Sequence, residues 1–145
     1  MARLLNTFIC SDLKHANFED ANLRRAKLLF STLKDANFKG ADLSQVKFLV
    51  SDLKDADFKE SILDRTDFRY ASLSGVSFDA LKLNGTIFNN AALKETSFRN
   101  ATLINVSFKK QAKHVIFDGA SMDKLTYAIL QKYGAKLDNV TVICI

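Results

Sequence analysis

Between Asn6 and Lys110 the chain repeats one short pattern: a large apolar centre every fifth residue, a small residue two places before it, and mostly polar residues at the other three places. Leu or Phe holds all 21 centres, from Phe8, Leu13 and Phe18 through to Leu103 and Phe108. Two places before the centre stands Ala, Ser, Thr or Val in 19 of 21 repeats, Asn6 and Leu81 being the departures. Neither regular element can bury such a pattern. In an α-helix a step of five turns the side chain by about 140° from the last, so the centres would spiral around the axis. In a straight strand an odd step sends each successive centre to the opposite face. The pattern is satisfied when the chain turns a corner once per repeat, always the same way, so that every centre points to one axis. Four near-right-angle corners then close a coil of 20 residues, and about five coils stack between Asn6 and Lys110.

Two longer periods agree with that coil. Phe and Leu alternate with a period of ten, broken only at Leu28. Each coil therefore receives Phe on two opposite walls and Leu on the other two. The small residue beside each large one keeps a narrow core at ordinary packing density. Burying one Leu or Phe stabilises by about 1.5–3 kcal/mol, and each coil leans only on its neighbours. The chain contains no proline, which suits a backbone whose amides pair with the coils above and below.

The frame weakens at both ends. Read backwards it would put Arg3 at a centre, so regular coils begin near Asn6 and leave an upper edge of unpaired strands. After Phe108 the next centre falls on Lys113, and the apolar pattern resumes at Val115 and Phe117 with one residue missing. A helical period follows, with Leu125, Ile129 and Tyr133 as the inward face and Ala128 and Leu130 beside it. Ser121 or Asp123 can cap its start and Gly134 can end it. Residues 140–145 are β-branched and alternate weakly, as in a short returning strand. The domain organisation read from this is a β-helix over residues 1–120, with regular repeats over 6–110 and a register break at 111–114. A helix and tail over 121–145 would close its lower end.

Units such as Ala16-Asn17-Phe18-Glu19-Asp20, Ala21-Asn22-Leu23-Arg24-Arg25, Ala36-Asn37-Phe38-Lys39-Gly40 and Ala41-Asp42-Leu43-Ser44-Gln45 resemble the pentapeptide-repeat family. The resemblance implies an all-β solenoid in the form of a right-handed quadrilateral β-helix, the handedness being something periodicity does not give. Members often carry Asn or Asp just before the centre. Here 8 of 21 repeats do, all between Asp12 and Asp67. Later coils are therefore expected to lose a side-chain hydrogen bond at the corner and to be less regular.

Charge narrows the partners. The chain carries 21 Lys and Arg against 16 Asp and Glu, a net charge of +5, and residues 7–110 hold 16 basic and 13 acidic side chains. That is a mixed surface and not a strong field of either sign. Some pentapeptide-repeat proteins of similar length resemble duplex DNA in charge and bind DNA gyrase. The resemblance thus offers a topoisomerase-binding and protection role as an alternative, one that needs a denser acidic surface than this chain has. Lys14, Lys34, Lys54 and Lys94 line up on one wall but have Asp35, Asp55 and Glu95 beside them, so direct contact with nucleic acid or an anionic membrane is not expected. A more concentrated basic spot is Lys109, Lys110, Lys113 and His114.

The sharpest surface feature appears when outward residues are aligned every 20. Ile9, Leu29 and Leu49 form one column and Cys10, Phe30, Val50 and Tyr70 the next, on the wall that also carries Leu28. Large apolar residues at places that are polar elsewhere point to an interface, with a partner protein or with a second copy as a homodimer, unless a chain end covers them.

No catalytic set, cofactor motif or metal site is read. His15 and His114 stand on different walls about five coils apart, and Asp52, Asp55 and Asp57 occupy successive walls around a corner. Cys10 and Cys144 lie at opposite ends of a stack whose coils are about 4.8 Å apart, far beyond the roughly 7 Å that a disulfide spans. Free thiols suit a reducing compartment. With no leader and no apolar run near the ~18 residues of a membrane span, a cytoplasmic location is expected. The sequence thus reads as a non-enzymatic rigid scaffold for protein–protein interaction through an apolar wall.

Overall fold

The computed structural model describes residues 6–110 and 112–145. Expectations for Met1 to Leu5, including a covering role for that segment, and for Gln111 within the register break lie outside the described residues. The fold is a right-handed quadrilateral β-helix with one α-helix near its C-terminal end. Named strands are short: β1 (Thr7–Ile9), β2 (Lys27–Leu29), β3 (Lys82–Asn84), β4 (Thr102–Ile104), β5 (Ser121–Asp123) and β6 (Thr141–Ile143), with α1 (Lys124–Lys132) between the last two. β1 pairs with β2, and β3 to β6 pair in sequence order, all in parallel. Elsewhere a wall pairs at a single residue, as in Asp12↔Thr32↔Asp52↔Ser72.

The four walls take their centres in turn: the first from Phe8, the second from Leu13, the third from Phe18 and the fourth from Leu23. Phe58, Phe68, Phe78, Phe88 and Phe98 are fully or almost fully buried. Rings on the third wall stack nearly parallel, with centroids 5.2 Å apart for Phe38 and Phe58 and interplanar angle 8°. Rings on the first wall do the same, 5.2 Å for Phe68 and Phe88. The two stacks meet edge to face in the middle, as Phe88 and Phe98 do at 5.3 Å and 86°. Both geometries suit the ring quadrupole, so the period of ten in the sequence becomes two interlocked aromatic columns.

The corner has a conformational signature. Every fifth residue from Cys10 to Asn105 has a positive φ, and of these only Gly40, Gly75 and Gly85 are glycine. The left-handed region costs an L-residue about 1–2 kcal/mol, and here it recurs because each corner closes through it. At most corners the centre's carbonyl accepts the amide three residues on, for example Leu33 O from Ala36 N at 3.0 Å. All eight Asn and Asp residues before a centre reinforce this, their Oδ1 accepting the amide two residues on. Distances run from 2.9 Å at Asn37 and Asp57 to 3.3 Å at Asp12.

Later coils lack most of those bonds yet remain regular, which corrects the expectation drawn from the sequence. Hydroxyls inside the core add a different bond, one to a centre's carbonyl. Thr66, Thr86 and Thr96, all fully buried, donate to the carbonyls of Leu43, Leu63 and Leu73 in the coil above, at 2.8, 2.7 and 2.9 Å.

At the break, the pairing interval drops from 20 residues in Ser77↔Ser97 to 19 in Ser97↔Ile116. Ala112, fully buried, fills the centre that the frame assigns to Lys113, and Lys113 is exposed. Burying an ammonium there would be far costlier than losing the volume of a leucine.

The helix is capped as its sequence suggests, Asp123 Oδ1 accepting from Thr126 N at 3.0 Å and Gly134 following with φ 78°. Its inward face differs from the expected one. Thr126 and Leu130 are fully buried, Ile129 and Tyr133 are half-buried, and Leu125 is 60% exposed. Thr126 decides the rotation, because its Oγ1 accepts the Val106 amide of the coil above at 3.2 Å. Helix and tail do not simply lie across the end. Met122 and Val142 pair at the full interval of 20 residues, so the helix stands in for two walls. At Leu137 the ordinary corner bond then returns, its carbonyl accepting from Val140 N at 3.3 Å.

Candidate protein-docking wall

The first wall brings the aligned apolar residues together in space. Ile9 is 56% exposed, Phe30 58%, Val50 46% and Tyr70 57%; Cys10 is exposed as well, while Leu29 and Leu49 are half-buried beneath them. The C-terminal tail pairs with β5 on the fourth wall at the lower end and leaves this surface open.

Backbone geometry makes the choice of residues there costly. Cys10, Phe30, Val50 and Tyr70 have φ of 51°, 52°, 56° and 60°. At equivalent corners the chain uses Asp35, Gly40, Glu60, Asn90 and Asn105, among others. Asn, Asp and Gly tolerate this region, whereas a β-branched residue such as Val50 does so poorly. Apolar side chains therefore occupy four corners where Asn, Asp or glycine would strain the backbone less.

Serines behind the upper part of the wall alter its shape. Ser11 N donates to Ser31 Oγ and Ser31 N to Ser51 Oγ, each at 3.2 Å, in place of the usual corner bond. Ser51 Oγ in turn donates to Leu28 O at 2.7 Å. With the corner opened, pairing extends over three residues and takes in Ile9↔Leu29, giving a flatter shelf than the single-residue walls. The wall regains an ordinary corner at Phe48, whose carbonyl accepts Ser51 N at 3.2 Å.

The surroundings carry charges that the initial alignment did not single out. On the side of the fourth wall stand Arg25, Lys27, Lys47 and Arg65, all exposed. Below them Arg69 is engaged by Asp67 at 2.7 Å, and hydrogen bonding to that carboxylate, with its charge, holds the guanidinium above the usual arginine range. Listing the places just before the centre and at the corner every 20 residues would have found this basic edge. The stacked columns Lys27, Lys47 and Arg25, Gln45, Arg65 are plain once aligned.

The second candidate region, Lys109, Lys110, Lys113 and His114, is wholly exposed. The last three, with Lys94, border a shallow hollow of about 220 Å³ floored by Ala91, Ala92, Leu93 and Val115. Lys109 does not line it. His15 lies 3.6 Å from Asp35 on the second wall, remote from His114. Among the described residues no three His, Cys, Asp or Glu are placed to share a metal ion. Cys10 and Cys144 are both free and exposed. Among the same residues no helix is long and apolar enough to cross a membrane.

Comparison with known proteins gives the fold a lineage. A structure of trypsin-treated QnrB1, a plasmid-mediated fluoroquinolone resistance protein, superposes with a TM-score of 0.65 at 16% identity, covering 94% of this chain and 80% of that one. A pentapeptide repeat protein from the Arabidopsis thaliana thylakoid lumen is 26% identical, with a TM-score of 0.40 over 76% of this chain and 60% of its own. HetL from the cyanobacterium Nostoc, involved in heterocyst differentiation regulation, is 23% identical with a TM-score of 0.35, over 89% and 65% of the two chains. No curated protein sequence matches the chain. The family model described as Pentapeptide repeats matches in eight copies over residues 9–48 and 51–90, more than half of the sequence, and the chain belongs to the pentapeptide-repeat family.

Proposed function

We propose that this protein is a non-enzymatic scaffold that holds a partner protein against its first wall. The observation that carries the reading is the run of exposed apolar side chains, Phe30, Val50 and Tyr70 with Ile9 above, at corners that are polar or glycine on most other repeats. Contiguous exposed apolar surface of this kind favours association. A stack of interlocked rings makes a rigid support, so little order has to be gained on binding. Pentapeptide-repeat proteins are in general non-enzymatic.

The duplex-DNA-mimic reading has less support. The third wall carries Glu19, Asp20, Asp57, Glu60, Asp79 and Asp118, but Lys39, Lys59 and Arg99 are interleaved with them and the chain as a whole has a net charge of +5. The likeness to QnrB1, at 16% identity, concerns the fold. In a supercoiling assay, gyrase inhibition at high excess of this protein would reverse that judgement.

The docking reading is tested by affinity capture on immobilised wild type and Phe30→Glu. Glu60 and Glu95 already occupy equivalent corners with φ of 61° and 62°, so the variant is compatible with the backbone. Proteins retained by wild type should be lost from the variant; an unchanged set refutes the wall. Light scattering across a tenfold concentration range separates out a second copy as the occupant, since a dimer through this wall becomes a monomer in Phe30→Glu.

A further inference from the structure

We infer that the occupant of the first wall is an amphipathic α-helix of a partner protein, about three turns long, with acidic residues along one edge of its apolar stripe. The inference rests on the docking reading and adds the chemistry and shape of what docks.

Length comes first. The apolar corners Cys10, Phe30, Val50 and Tyr70 belong to four successive coils. With coils about 4.8 Å apart the strip is about 14 Å long, the rise of about ten helical residues. One helical turn advances about 5.4 Å, close to one coil. Residues at i, i+3 or i+4, and i+7 can thus each rest on their own rung.

Backbone bonding then selects a helix over a strand. Amides of the wall are engaged within the stack: Leu28 N with Lys47 O at 2.8 Å, Phe30 N with Leu49 O at 3.0 Å and Val50 N with Arg69 O at 3.2 Å. An added strand needs a free ladder of such groups, and the face of the wall offers side chains instead. A helix bonds its own backbone and brings only an apolar stripe.

Arg25, Lys27, Lys47 and Arg65, with a single exposed carboxylate, Asp64, beside Arg65, flank the strip on the side of the fourth wall, and the ion pairs among the described residues, His15–Asp35, Arg24–Asp42 and Arg69–Asp67, involve none of these basic residues. On the other flank, around the corner of the second wall, Asp12 and Asp52 alternate with Thr32 beside Lys14, Lys34 and Lys54, so that edge is mixed. A second copy fits this pattern poorly. Antiparallel pairing of two first walls sets the basic edge against itself, and parallel pairing sets it against the mixed edge. Like charges across an interface select against a partner, and opposite ones favour it. The complementary surface is therefore apolar with Asp or Glu on one side.

A display library of amphipathic helices, with residues on both flanks of the apolar stripe randomised, tests this by selection on the wild-type protein. Sequences enriched on it should carry an excess of Asp and Glu on one flank. They should lose affinity on the order of tenfold or more on Lys27→Glu/Lys47→Glu and lose binding on Phe30→Glu. Thermal unfolding of each variant confirms that it is folded. Enriched helices that show no acidic excess, or that bind the double lysine variant equally well while failing on Phe30→Glu, overturn the acidic-edge inference and leave the docking wall standing. Enrichment no greater on wild type than on Phe30→Glu overturns both.

Discussion

The upper and lower coils of this solenoid bond their corners by different means and end in different ways. From Asp12 to Asp67 the corner is held from outside, by a side-chain carboxylate or amide accepting its own turn's amide. Hydroxyls donating from inside to a centre's carbonyl in the coil above occur at Ser51 among these coils and, below them, at Thr86 and Thr96, where the outer carboxylates and amides are absent. The upper end leaves Phe8, Leu13 and Phe18 half-buried, whereas Met122 and Leu130 at the lower end are sealed by the helix and tail. The two devices serve different backbone groups, the outer one the amide after a centre and the inner one a centre's carbonyl, so one backbone geometry accommodates either chemistry at its corners. The outer device also fixes the surface, since a residue engaged in its own turn is constrained in what it offers a partner. The exposed apolar residues of the first wall accordingly sit one or two places after the centre, where no side-chain corner bond is required of them.

The comparison of ends sets the largest expected effect. Phe68→Ala, in the interlocked middle, should destabilise by about 3–5 kcal/mol. The half-buried Phe18→Ala should cost about 1–2 kcal/mol. Denaturant unfolding of the two variants measures the difference, and equal losses would mean that the upper end is as well packed as the middle.

A smaller effect tests the lower closure. Burial pushes the Asp123 carboxyl up, but hydrogen bonds from the Thr126 hydroxyl and from the amides of Asn105 and Thr126 outweigh it and hold the group below its ordinary 3.8. Its folded-state value is thus depressed. The stabilisation is present above the unfolded-state value and is lost as pH falls through the folded one. Asp123→Ala should cost about 1 kcal/mol at neutral pH. The gap from wild type should close below about pH 3.8, as followed by thermal unfolding against pH.

The smallest effect runs in the opposite direction. Val50→Asn places at this corner a residue the chain already uses at Asn90, Asn100 and Asn105. It should stabilise the fold by up to about 1 kcal/mol while weakening the docking of apolar ligands. A variant that is both more stable and no weaker in binding would detach the strained corner from function.

Much of the architecture is legible in the sequence because its cause is local and repeated. A period of five excludes helix and straight strand by geometry alone, and 21 centres in one register leave little room for another answer. The apolar wall was legible for the same reason, since alignment every 20 residues follows once the coil is known. The basic edge of Arg25, Lys27, Lys47 and Arg65 was equally open to that alignment, but its residues stand at two different places in the repeat and on both sides of a corner. Leu125 shows the limit of periodicity: the helical period identifies a helix, yet the Thr126 bond to Val106 selects the face.

The sequence by itself therefore determined the coil, its core, the helix and the columns of outward residues, because each follows from short-range sterics and from which side chains avoid water. The tertiary structure decided the rotation of the helix, the choice of Ala112 as a core residue and the left-handed backbone beneath Phe30, Val50 and Tyr70. Those depend on contacts between residues about 20 positions apart, whose relative placement is set only when every corner between them has closed.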